Sequence, residues 1–179
     1  MEAKTSASKS GLQFGLLFGV LMILEMVVGY VMKIDPQTNK SYGVIISVLN
    51  YLIFPLTFIY LGCTNFKLKL NSGFISFGEC LKIGVSICVI AGLLFALFSS
   101  AFNYFIPEYM EGIYRKMRSI LLENPKVTQD QVDVSLAMMK KFSNPLFSIP
   151  LTIIMFAFIG LIYSLIVGAI VKKDANQSF

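Results

Sequence analysis

Histidine and tryptophan are absent from this 179-residue chain, and only 14% of its residues are charged. Without histidine the commonest general base and metal ligand is missing. Cysteine is scarce. Cys63, Cys80 and Cys88 form no C-x-x-C pair, and an odd number of thiols cannot pair completely within one chain. Cys80 and Cys88 stand at helical spacing among small neighbours, which reads as buried thiols serving as small packing residues. Also missing are H-E-x-x-H, G-x-S-x-G, a glycine-rich phosphate loop and paired intramembrane aspartates. These absences point away from an enzyme and from a resident metal or cofactor.

What is present is apolar length. Hydrophobic residues make up 56% of the chain, and the mean hydropathy is +0.73. Four stretches, Gly11–Met32, Gly43–Leu61, Ile83–Phe105 and Phe147–Val171, are each long enough to span a bilayer. A hydrocarbon core about 30 Å thick needs about 20 helical residues. The expected fold is all-α, a four-transmembrane-helix bundle forming a single integral membrane domain over residues 1–179. Met1–Ser10 reads as a short polar tail. The apolar run behind Lys4 and Lys9 is too long for a secretion-signal core and lacks an A-x-A-like site, so the first helix is expected to be retained.

The net charge of +5 comes mostly from lysines beside the apolar segments, such as Lys67, Lys69, Lys172 and Lys173. That placement fits anionic headgroups rather than nucleic acid. Four spans put both termini and the Gly62–Lys82 connection on one side, with seven basic residues: Lys4, Lys9, Lys67, Lys69, Lys82, Lys172 and Lys173. The opposite side holds eight: Lys33, Lys40, Arg115, Lys116, Arg118, Lys126, Lys140 and Lys141. Counting alone is a tie. Because the terminal lysines sit hard against span ends, both termini are expected in the cytoplasm.

Between spans one and two lies a short loop, Lys33 to Tyr42, with Asp35-Pro36 and Asn39 as turn formers. Pro55 predicts a kink in span two. The mixed stretch Gly62–Gly78 is expected along the interface, with Glu79 and Lys82 snorkelling from the start of span three. Glu108–Asn144 holds eleven of the 25 charged residues and is expected as an extramembrane amphipathic helical hairpin between spans three and four. Met110, Ile113, Met117 and Ile120-Leu121 form the apolar stripe of its first helix, which Asn124-Pro125 stops. Thr128 and Gln131 form a capping box for the second, whose stripe is Val132, Leu136 and Met139. The pair is expected to lie on the bundle or the membrane, since short helices need an apolar support.

Lipid supplies no hydrophobic force between helices, so packing depends on small residues that let backbones approach. Gly11, Gly15 and Gly19 in span one, with Gly29 near the same azimuth, form one such face. Cys80, Gly84, Cys88 and Gly92 in span three form a second, and Gly160, Ser164 and Gly168 in span four a third. Span two instead carries a polar stripe, Gly43, Ser47, Asn50 and Thr57, expected to face protein or a water-filled cavity.

Glu25 is the one carboxylate inside a span. Seven residues separate it from Met32, so it lies about 10 Å inside that end; Asn50, eight residues from Tyr42, lies about 12 Å deep. On adjacent antiparallel helices those depths coincide. Ser99, Ser100 and Thr152 fall in the same half of the bilayer, which suggests a polar layer in which Glu25 bonds to Asn50 and some of these hydroxyls. An acid at a span centre costs roughly 2.5–3.5 kcal/mol on insertion scales. Burial disfavours its charged form, so the expected species is the neutral, protonated acid. It reads first as a hydrogen-bonding clasp and second as a proton or cation site.

With the spans placed, the chain resembles a bacterial family of small four-span integral membrane proteins known only as a domain of unknown function. The resemblance rests on the glycine-rich first span, on Phe77-Gly78-Glu79-Cys80-Leu81-Lys82-Ile83-Gly84 and on Asn103-Tyr104-Phe105-Ile106-Pro107-Glu108-Tyr109. It also rests on the ending Ile159-Gly160-Leu161-Ile162-Tyr163-Ser164-Leu165-Ile166-Val167-Gly168-Ala169-Ile170-Val171-Lys172-Lys173. It implies a bacterial inner-membrane location and carries over no catalytic or binding residue. The expected role is a non-catalytic structural or assembly component whose partners are the bilayer and further copies or other membrane proteins. The alternative is a small transporter or channel subunit built on Glu25, with Pro55 as a hinge.

Overall fold

The computed structural model describes residues 6–34 and 39–174. Lys4 and the Asp35-Pro36 turn lie outside the described residues. Four helices are long and apolar enough to cross a membrane: α1 (Ala7–Val31), α2 (Lys40–Leu70), α3 (Phe77–Phe105) and α6 (Pro145–Val171). Two shorter helices, α4 (Pro107–Leu122) and α5 (Gln129–Phe142), stand between α3 and α6. Among the described residues there is no strand, only an isolated antiparallel bridge between Ile75 and Lys173.

The chain divides into two compact units, Met1–Phe95 with Ile153–Phe179 and Ala96–Thr152. The first has a core of Phe18, Met22, Phe58, Ile59, Cys63, Ile83, Ile87, Cys88, Ala91 and Phe156. Phe18 is its hub, stacked on Phe58 with centroids 5.5 Å apart and edge-on to Phe54 at 5.9 Å. Small residues set the approach of the helices around this core. A methyl built on Gly15 would lie 2.9 Å from both the Ile87 carbonyl oxygen and Ile90 Cβ, so α1 meets α3 backbone to side chain. One built on Gly160 would lie 2.9 Å from Cys88 Cβ and from the Gly84 oxygen, and Gly84 in turn faces the Ser164 hydroxyl. Gly29 does not share this face. It lets the Tyr42 hydroxyl of α2 approach.

Helix α2 departs most from expectation. It does not end near Leu61 but continues to Leu70, where Asn71 and the left-handed Ser72 and Gly73 (φ 52° and 86°) reverse the chain. Gly62–Gly78 is therefore mostly helix and turn. Gly62, Cys63, Phe66 and Ile75 are buried, because this region closes over the core. Near Pro55 the helix widens into a π-helical turn over Leu49–Ile53, which accommodates the missing amide donor. The extra residue of that turn sets the following residues back by about 100° relative to a continuous α-helix. Thr57 is thereby exposed while Phe58 and Ile59 enter the core. Ser47 is exposed as well, so of the polar stripe expected to face protein or a water-filled cavity only Asn50 is buried within the chain.

Helix α3 starts at Phe77, six residues before the apolar run Ile83–Phe105, because a capping box sits at its N-terminus. Glu79 accepts from the Ser76 amide at 2.8 Å and hydroxyl at 2.9 Å, and the Glu79 amide donates back to Ser76 Oγ at 3.3 Å. Glu79 therefore caps the helix.

In the second unit α4 and α5 form a hairpin. Thr128 and Gln131 make the expected reciprocal cap, with bonds of 3.0 and 3.3 Å. Val132 and Leu136 are buried and Met139 half-buried, on the side of α5 that packs against α4. Arg118 and Asp133 pair at 3.3 Å, and Lys140 Nζ lies 5.5 Å from the centre of the Tyr114 ring.

Candidate polar site between the first two spans

The site is built from one residue on each of two antiparallel helices. Glu25 occupies the second half of α1, in an otherwise unbroken apolar sequence. Asn50 lies inside the π-helical turn of α2. Asn39 starts that helix by accepting from the Tyr42 amide at 3.1 Å, and the Tyr42 hydroxyl lies against Gly29 of α1.

The Asn50 amide nitrogen donates to Glu25 Oε2 at 2.6 Å and to the Ile46 carbonyl, one turn back, at 3.1 Å. Both amide protons are thus committed. Asn50 is only 8% exposed, and its Oδ1 is buried with no hydrogen-bond partner among the described residues. Glu25 is half-buried. The arrangement ties α1 to α2 through one strong bond and leaves a buried acceptor beside it. In a setting without water, a carboxyl bonded to an amide is far less costly than a bare one.

The structure brings Glu25 and Asn50 together. Ser99, Ser100 and Thr152 belong to the second unit, where all three are half-buried and Ser99 donates to the Ala96 carbonyl at 3.1 Å. The described site is therefore the Glu25–Asn50 pair. Among the described residues no three His, Cys, Asp or Glu side chains stand close enough to hold a metal ion. The buried thiols add little chemistry: Cys63 Sγ donates weakly to the Cys80 carbonyl at 3.9 Å, and all three are enclosed.

A family model matches residues 13–173, nearly the whole of this architecture. The chain belongs to the family described as "Protein of unknown function (DUF4199)". No curated protein matches it, and no solved structure does. Membership of DUF4199 brings no residue role with it, so the site stands on its own geometry.

Sequence reasoning missed the contacts that close the opposite end of the DUF4199 fold. Lys67 Nζ donates to the Val171 carbonyl at 2.8 Å, and the Ile75 and Lys173 backbones exchange hydrogen bonds of 3.0 and 2.9 Å. Ser76-x-x-Glu79 was readable as a capping box; the lysine and the bridge had no local signal.

Proposed function

We propose that this protein is a non-catalytic assembly component of a bacterial inner membrane, packing with further copies or other membrane proteins. Both termini lie on the cytoplasmic side, and the α4–α5 hairpin lies outside the hydrocarbon core. Ser47 and Thr57 carry the reading. Both stand exposed on α2, where lipid offers a hydroxyl no partner, whereas interfaces between membrane helices are enriched in such residues. Glycine faces of α1, α3 and α6 are already taken up within the chain, so α2 is the surface left for association. The hairpin placement is supported by its charge and by α4, whose 16 residues reach about 24 Å, short of a bilayer core.

Single cysteines at Ser47 and Thr57, with the three native cysteines replaced by alanine, test the reading in native membranes. A short thiol crosslinker is expected to give a defined higher-mass adduct at one or both positions. Monomer alone at every protein density, with no adduct at either site, would overturn it. So would a proton or cation flux across proteoliposomes that Glu25→Gln abolishes; the protein would then be a small transporter built on the Glu25–Asn50 pair.

A further inference from the structure

Helix α5 is apolar on two sides. Val132 and Leu136 point into the hairpin, but Val134, Met138 and Phe142 recur at four-residue steps about half a turn away and are 55%, 58% and 54% exposed. Exposed neighbours of this stripe are polar or small: Asp133, Ser135, Ala137, Lys140 and Lys141. A stripe of this kind needs a covering, and the same unit indicates which. Only Ser143 and Asn144 separate Phe142 from Pro145, the first residue of α6, so Phe142 lies within about 10 Å of a membrane-capable helix. Asn144 fixes that junction by accepting from the Leu146 amide at 3.0 Å, and Lys141 Nζ stands 5.9 Å from the centre of the Phe147 ring. The other arm is equally short, since α4 begins at Pro107 directly after α3 ends at Phe105. Tyr104 and Phe105, 82% and 78% exposed, stand at that end, where aromatic rings favour the headgroup level.

We infer that the α4–α5 hairpin lies on the bilayer surface, with Val134, Met138 and Phe142 set into the boundary between headgroups and acyl chains. The occupant of this face is the lipid surface itself. Apolar residues on one side of a short helix, flanked by lysine, are the composition of an interfacial helix, and Lys141 beside the stripe matches anionic headgroups. Both ends of the hairpin are held at the level where α3 and α6 leave the hydrocarbon, which keeps the stripe within reach of it. This inference rests on the hairpin lying outside the hydrocarbon core, and not on association through α2, because it concerns α5.

The test uses the full-length protein without its native cysteines, reconstituted in phosphatidylcholine–phosphatidylglycerol vesicles. Single cysteines at Val134, Met138 and Phe142, and at Asp133, Ala137 and Lys140 on the other exposed side, carry an environment-sensitive fluorophore. The three stripe positions are expected to be quenched several-fold more by acyl-chain-brominated lipid, and several-fold less by aqueous iodide, than the other three. Equal iodide quenching at both sets would overturn the inference. So would iodide protection that persists in lipid-free detergent only at concentrations where the protein dimerises, since a second copy would then cover the stripe.

Discussion

Lys67 Nζ bonds to the Val171 carbonyl oxygen at 2.8 Å, so a cation from the second span closes the last turn of the fourth. The final carbonyls of a helix have no partners within it, and positive charge is favourable there. Lys67→Met is expected to lower stability by about 1–2 kcal/mol, and Lys67→Arg to retain most of it. Unfolding by sodium dodecyl sulfate from mixed micelles measures this; coincident curves for Lys67→Met and the parent would show that the cap contributes nothing.

Gly160→Ala places a methyl against Cys88 Cβ and the Gly84 backbone at 2.9 Å, neither of which is a flexible side-chain end. The expected loss is about 1–3 kcal/mol. Gly112→Ala, in the interior of α4 with open space around it, is expected to gain up to about 1 kcal/mol through helix propensity. Thermal aggregation midpoints of the two variants should move in opposite directions.

Removing one partner of the Glu25–Asn50 pair differs from exchanging its carboxyl for an amide. Glu25→Gln keeps an acceptor for the Asn50 amide and is expected to change stability by less than about 1 kcal/mol. Asn50→Leu strands the carboxyl and should cost about 1–3 kcal/mol. Glu25→Leu with Asn50→Leu should recover part of that loss. A double-mutant cycle with strictly additive effects would show that the two residues are not coupled.

Thr128→Ala removes half of the capping box at the start of α5. About 1 kcal/mol of local stability should be lost. Hydrogen exchange should quicken in the first turn of α5 and remain unchanged in α1 and α6; uniform acceleration across the chain would contradict a local role.

The four long helices and the hairpin were legible because each rests on a run of residues with a repeated chemical character. Thr128 and Gln131 declare their cap within four residues, and Glu25 and Asn50 could be matched in depth from helical rise alone. Failures cluster where a local irregularity resets the count. Ser47 and Thr57 were placed on one face with Asn50 by extending a regular helical period across Leu49–Ile53, where the helix widens and Thr57 loses that register. The length of α2 was underestimated because Asn65, Lys67 and Lys69 look like a loop, although Phe66 between them is buried. Ser99, Ser100 and Thr152 were grouped with Glu25 by depth alone, and they belong to the second compact unit.

The wide turn at Leu49–Ile53 also governs how this chain can vary in length. Removing a single amino acid there would let the helix wind regularly and keep Phe58, Ile59 and Cys63 turned to the interior, whereas adding one would swing them out by roughly a quarter revolution. Tolerance for insertions should therefore be concentrated in the Glu123–Val127 bend, while the middle of the second span can lose one residue at its wide turn but gain none.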